Sequence, residues 1–359
     1  MRITARTTST PNIPRARPAK KISNLVVQLT GACNLNCKHC YRGGSRAEDE
    51  IDESRLKEAF SYMLMKGVRS VIFTGGEPFV RQDKLFNLIK FLKDRMISND
   101  PQQNGIGIES NGTFKNPKEV LERIKDMGNV ILRVSFDSFD RGIMEYTRGA
   151  GVFEKLMELA RISREIGYEY LYFVTHYASG NVYKERKTDA FNTLARLVGT
   201  DHIKSCYDIL QMGNAARNDY RTSVSKGYDF DDLDPKWHHR KGWCHSVVSP
   251  KRLVIRPNGN VGTCCFAAYL PEEYGSLRDS SIVQILNNLE SSRLFRLFAD
   301  GGLKDHIAGI DRDLFPAHFI TSCEPTIITT SVALWSLAGA SLPEANLNTA
   351  RDFGYLSIK

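Results

Sequence analysis

SVIFTGGEPFVRQDKLFNLIKFL, Ser70 to Leu92, carries one complete repeat of the fold. Ser70–Thr74 is a short β-branched and aromatic run suited to a buried strand. Gly75, Gly76 and Pro78 interrupt it, and Leu85, Leu88, Ile89 and Leu92 then recur at the spacing of a helix with one buried stripe. The alternation continues on both sides. Upstream, Leu25–Leu29 reads as a strand. Asp52 is placed to cap a helix starting at Glu53, with Ile51 and Leu56 as a hydrophobic staple. Downstream, strands at Gly105–Ser110, Val130–Phe136, Tyr170–Thr175 and His202–Gln211 alternate with helices. Those helices are marked by Val120, Leu121, Ile124 and Met127, then by residues 153–166 and 185–198.

Six β/α units in succession predict an α/β protein with parallel strands and right-handed crossovers, curled into part of a barrel or opened as a doubly wound sheet. Either fold puts its chemistry at the carboxyl ends of the strands. After about residue 215 the rhythm stops. A polar stretch to about Arg240 reads as a linker or long loop, and two β-prone runs around Pro257-Asn258-Gly259-Asn260 predict a hairpin. Residues 280–298 follow as a helix, and the last sixty residues show no clear period.

The 359 residues are enough for two domains or for one barrel with an appendage. A composition of 42% hydrophobic and 25% charged residues argues against wholesale disorder, collagen and coiled coil. The most apolar run, Thr326–Ala340, is too short and too rich in Ser and Thr to span a bilayer, and the amino terminus lacks a signal-peptide core. The expectation is a cytoplasmic protein without a membrane partner. Net charge is +8, but Arg2, Arg6, Arg15, Arg17, Lys20 and Lys21 lie in residues 1–21, which contain no acid. That segment reads as a basic disordered tail.

Of the 8 cysteines, Cys33, Cys37 and Cys40 lie in one loop directly after the first strand. Three thiolates so close can hold one face of a cubane iron–sulfur cluster and leave a fourth iron open to an exogenous chelating ligand. The competing reading is a zinc site with His39 as fourth ligand, in which adjacent ligation by His39 and Cys40 is awkward. It would make the chain a zinc-stabilised nucleic-acid-binding module held by its basic tail.

The loop resembles the signature of the radical SAM superfamily, and further segments match in that family's order. The resemblance implies a partial (β/α)6 TIM-type barrel over residues 22–215. It also implies a [4Fe–4S] cluster on Cys33, Cys37 and Cys40, and S-adenosylmethionine chelated to the open iron. His39 would lie beside the adenine. Gly75-Gly76-Glu77-Pro78 resembles the segment that accepts hydrogen bonds from the cofactor's amino group. Ser110-Asn111-Gly112 is similar to the family's Thr-Asn-Gly segment. Ser135 and Asp137 look like the pair that meets ribose and carboxylate, Arg148 like a basic partner of that carboxylate, and Met212 like an adenine contact.

Cys244, fourteen residues, Gly259, four residues and Cys264 resemble the opening of SPASM and twitch extensions. This implies a small α+β domain over 216–359 with an auxiliary [4Fe–4S] cluster, for which Cys244, Cys264, Cys323 and Cys265 are the candidate ligands. The usual closing pair is incomplete, because Thr326 stands three positions after Cys323. The resemblance implies reductive cleavage of S-adenosylmethionine to a 5′-deoxyadenosyl radical that abstracts a substrate hydrogen. The favoured substrate is a ribosomally synthesised precursor peptide, to be cross-linked, oxidised or epimerised, with Cys206 or Cys265 as the hydrogen donor in the last case. The alternative is dehydrogenation or epimerisation of a small molecule such as a sugar or cyclitol. A reductant such as flavodoxin or ferredoxin is expected, and nucleic acid is not.

Overall fold

The computed structural model describes residues 22–44, 50–96, 105–175, 182–205, 214–218, 228–229, 252–263, 274–292 and 318–319. Cys206, Met212, Cys244, Cys264, Cys265, Cys323 and the basic tail lie outside them. The first strands and helices are β1 (Asn24–Gln28), α1 (Glu53–Met65), β2 (Ser70–Thr74), α2 (Gln82–Lys93), β3 (Gly105–Ser110), α3 (Pro117–Asp126) and β4 (Val130–Ser135). Next come α4 (Arg141–Arg148), α5 (Val152–Ile166), β5 (Leu171–Thr175), α6 (Val182–Glu185), α7 (Asp189–Val198), β6 (Ile203–Ser205) and α8 (Asn214–Arg217). The chain continues through β7 (Tyr228–Asp229), β8 (Arg252–Ile255), β9 (Val261–Gly262), α9 (Ile282–Ser291) and β10 (His318–Phe319).

The main sheet has 8 strands in the order β6-β5-β4-β3-β2-β1-β8-β9. Strands β1 to β6 pair in parallel, each beside its sequence neighbour. Right-handed crossovers that always step the same way put every helix on one face. A doubly wound sheet reverses its order at a switch point, and this one does not, so the architecture is of partial-barrel type. Leu25, Val71, Phe73, Ile108, Leu132 and Phe173 point to the helix side and are buried in one core. The alternate positions point to the other face and are less buried: Ser70, Ile72 and Thr74 on β2, Ile131, Arg133 and Ser135 on β4.

The expected hairpin forms. Val254 pairs with Gly262 and Ile255 with Val261, and Gly259 turns the chain at φ +89. Its first strand is also a further strand of the main sheet, since β8 runs parallel to β1 with Asn24 opposite Arg252 and Val27 opposite Ile255. The hairpin region also touches α1, where Arg55 Nε donates to the Leu277 carbonyl at 2.8 Å. β7 and β10 form a separate antiparallel pair.

Two local expectations need correction, and one helix goes beyond them. Helix α1 begins at Glu53, but the Asp52 side chain makes no capping bond; instead Ile51 N–H donates to the Pro257 carbonyl at 2.7 Å. The helix expected over 185–198 is broken, because Thr188 caps α7 by accepting from Phe191 N–H at 3.2 Å. Helix α4 lacks a periodic apolar run and was not foreseen. It is fixed by Asp140 accepting from Ile143 N–H at 3.0 Å and by the fully buried Met144.

Candidate active site

Every crossover of a singly wound sheet returns beneath it, so the loops after the strands collect at one end. The cysteine loop lies there, directly after β1. Its entry is clamped to the loop after β2: Gly76 N–H donates to the Thr30 carbonyl at 2.7 Å, and Glu77 N–H to the Ala32 carbonyl at 2.8 Å. The glycines serve this contact. A Cβ on Gly75 would lie 2.4 Å from the Thr30 carbonyl oxygen, and one on Gly76 only 2.1 Å from that of Ala32. Pro78 follows in the first turn of a short 3-10 helix.

Glu77 is turned inward. Its Oε1 accepts from Ser110 Oγ at 2.9 Å and Phe79 N–H at 3.1 Å, and its Oε2 from Asn111 N–H at 2.7 Å. Burial pushes its carboxyl up to about 7 against these three bonds. The side chain thus ties the β2 loop to the β3 loop, and the backbone of Gly75–Glu77 lines the rim.

Asn111 extends the tie to the thiols: its Nδ2 donates to Cys33 Sγ at 3.7 Å and to Asn34 Oδ1 at 2.8 Å. Leu35 N–H reaches the same sulfur at 3.5 Å. Asn214 holds the far end of the loop, its Nδ2 donating to the Cys37 carbonyl at 3.0 Å and to Asn36 Oδ1 at 2.9 Å, and its N–H to the Cys40 carbonyl at 2.8 Å. Lys38 N–H bonds the Thr147 carbonyl at 2.8 Å. Sequence reading missed Asn34, Asn36, Thr147 and Asn214: the first two show only an amide beside the cysteines, Thr147 acts through its backbone carbonyl, and Asn214 is distant along the chain.

Asp137, His39 and Arg148 are brought together. Arg148 holds Asp137 with both arms of its guanidinium, and His39 Nε2 lies 3.4 Å from Asp137 Oδ2 and 3.4 Å from Arg148 Nη2. The resemblance implies contacts of Asp137 and Arg148 with S-adenosylmethionine; in the structure the two side chains also bind each other. Ser135 ends β4 on the inner face, half-buried.

Cys33, Cys37 and Cys40 carry no disulfide. Burial raises the Cys33 thiol above its ordinary value and pushes Cys37 up to about 11, opposed at Cys37 by Arg148, and the neighbouring sulfurs add mutual repulsion. Among the described residues no group of three His, Cys, Asp or Glu side chains is gathered tightly enough for a single metal ion. Cys33 and Cys37, whose buried thiols need nearby cationic charge to ionise, share one loop with Cys40, a donor set that fits a multinuclear iron–sulfur cluster.

Residues 27–187 match the family model described as radical SAM superfamily, and residues 244–307 match the SPASM iron–sulfur cluster-binding domain. The second match includes Cys244, Cys264 and Cys265 and ends before Cys323. Similar curated proteins include a probable GTP 3′,8-cyclase of Archaeoglobus fulgidus, 29% identical over 41% of this chain and 46% of that protein. Another, of Methanococcus aeolicus, is 27% identical over 37% and 43%. The chain therefore spans under half the length of these relatives. The fold is similar to that of native anSMEcpe with bound AdoMet, at TM-score 0.54 and 14% identity over 88% of this chain and 98% of that one. The same protein with AdoMet and Kp18Cys peptide gives TM-score 0.52 at 15% identity, with the same coverage. The cysteine loop, the partial barrel and both matches agree: the chain carries a radical SAM superfamily domain over residues 27–187, which implies a [4Fe–4S] cluster and S-adenosylmethionine, followed by a SPASM domain over 244–307, which implies auxiliary iron–sulfur clusters.

Proposed function

We propose that this enzyme abstracts a hydrogen atom from a ribosomally synthesised peptide held over the inner face of the sheet. When bound, the cluster and S-adenosylmethionine supply a 5′-deoxyadenosyl radical. Cys33, Cys37 and Cys40 are the ligands in this reading. The backbone of Gly75–Pro78 takes the cofactor's ammonium, and Asn111 and Ser135 hold its ribose side. The His39–Asp137–Arg148 group sets the charge behind Cys37, and Met212 contacts the adenine. Cys244, Cys264, Cys265 and Cys323 are the candidate auxiliary ligands, with Cys206 or Cys265 returning a hydrogen if the product is an epimer. A flavodoxin or ferredoxin is the electron source, in the cytoplasm. The barrel unit runs over 22–215 and the auxiliary-cluster unit over 216–359, after a basic tail at 1–21.

One observation carries the radical chemistry: three thiols that share a loop and are fastened by Asn111, Asn214 and the β2 turn at the carboxyl end of the sheet. The peptide is supported by the SPASM match at 244–307 and by the likeness to a fold solved with a peptide bound. A second reading, modification of a small molecule, is favoured by the relatives named probable GTP 3′,8-cyclase. The test is a substrate screen on the anaerobically reconstituted chain with S-adenosylmethionine and dithionite, comparing a displayed peptide library with a panel of sugars, cyclitols and nucleotides. The peptide reading expects library members to gain a mass change or solvent deuterium, and it fails if only small molecules are altered.

A further inference from the structure

The inner face of the sheet carries charge one level below the cysteine loop. The registers place Gln28 beside Thr74, Glu109 beside Arg133 and Arg133 beside Tyr172, while Arg256 follows Ile255, the partner of Val27. These side chains ring the same level of the curled sheet. Arg42 comes down from the cysteine loop, its Nη1 donating to Gln28 Oε1 at 2.8 Å. Lys204 stands on β6 beside Val174, one level nearer the loops. Glu109 is the carboxylate of this level, with Arg133 beside it in register, and Arg252 stands on β8 four residues below Arg256.

Two features mark this ring as more than a solvated surface. Gly107 leaves the interior of β3 without a side chain, and a Cβ there would lie 3.0 Å from Arg133 Nη1, so the strand gives up packing to make room for that guanidinium. Glu109 and Arg133 are adjacent in register, yet neither side chain makes a hydrogen bond or ion pair among the described residues. Glu109 is open to solvent but walled in by protein, and burial raises its carboxyl, opposed by Arg133 and by Arg252 from across the face. β8 is three strands from β3, about 14 Å on a flat sheet, and Arg252 is level with Gly105 rather than Glu109, so their interaction reflects both the curl and the reach of the two side chains.

We propose that Arg133, with Arg256 on its level and Arg252 reaching up from four residues lower on β8, forms a subsite for an anionic group of the substrate, a carboxylate or a phosphate, with Arg133 as its principal anchor. This rests on the reading that the substrate lies on the inner face below the cysteine loop. A carboxylate would come from an acidic peptide side chain and a phosphate from a small phosphorylated molecule. Guanidinium binds either through paired donors. Glu109 repels the anion and limits its affinity, so that the group can leave after turnover.

The test is calorimetric titration of the anaerobically reconstituted full chain at constant ionic strength, with inorganic phosphate in one arm and glutarate in the other. Wild-type protein binds at least one of them, and the preferred arm identifies the source of the anion. Arg133→Gln weakens that binding about tenfold, the loss of a charge-assisted hydrogen bond, while Glu109→Gln strengthens it. Arg161→Gln, on the exposed surface of α5, leaves it unchanged. Absence of binding in both arms, or equal affinities in Arg133→Gln and wild type, overturns the subsite. The strengthening in Glu109→Gln keeps the test decisive if Arg133→Gln does not fold. Release of 5′-deoxyadenosine by wild-type protein is measured in parallel: if it occurs without anion binding, the subsite alone fails, and if it does not occur, the radical reading itself fails.

Discussion

Arg148 grips Asp137 through two hydrogen bonds, Nε to Oδ2 at 2.7 Å and Nη2 to Oδ1 at 2.9 Å, with both side chains buried beside Cys37. Removing one partner leaves the other charge stranded in a poorly solvated place. Asp137→Asn is therefore expected to lower the stability of the iron-free chain by about 3–5 kcal/mol. Replacing both, as Asp137→Leu with Arg148→Met, should recover most of the loss, measured by urea unfolding.

Gly76→Ala forces a methyl group against the Ala32 carbonyl, to which it would stand at 2.1 Å. Backbone cannot yield there without breaking the bonds from Gly76 and Glu77 to the cysteine loop. The expected outcome is a normal helical circular-dichroism signal with most of the iron lost after reconstitution. Gly151→Ala is the contrast: nothing lies within 4 Å, so its cost is the strain of a φ of +73, about 1 kcal/mol, with iron retained.

Glu77 gives a pH signature. Its carboxyl is raised from 4.5 to about 7 in the folded chain, so the native state holds a proton that the unfolded chain has released. The resulting stability is complete below about pH 4.5 and disappears as the pH rises through 7, a change of roughly 3 kcal/mol. Glu77→Gln cannot titrate. The stability difference, iron-free wild type minus Glu77→Gln, should therefore fall by that amount between pH 4.5 and 8; a flat difference would contradict the inward orientation.

The SPASM match predicts a second iron–sulfur site. Iron counting after anaerobic reconstitution should give about eight atoms in the parent and about four in Cys244→Ala if both centres are cubanes. Four in both would remove the auxiliary cluster from the account.

Strands β2 and β3 were legible to the residue because glycine and proline punctuate apolar runs at their ends. Cys33, Cys37 and Cys40 were legible because their spacing in one loop has few physical uses. Glu77 was found, but its inward turn toward Ser110, Phe79 and Asn111 was not, because sequence cannot say which way a carboxylate turns at a strand end. The mutual grip of Asp137 and Arg148 was hidden for the same reason. Helix α4 went unseen because tertiary burial of Met144 and the Asp140 cap, rather than periodicity, hold it. The pairing of β8 with β1 joins segments more than two hundred residues apart, a contact that local pattern does not encode.

The most direct test of the account is chromatographic detection of 5′-deoxyadenosine after the anaerobically reconstituted chain meets S-adenosylmethionine and dithionite. The account predicts that wild-type protein releases it and that Cys37→Ala, which removes one of the three sulfurs, does not. Equal release by the two proteins, or none from a fully iron-loaded wild type, would contradict it.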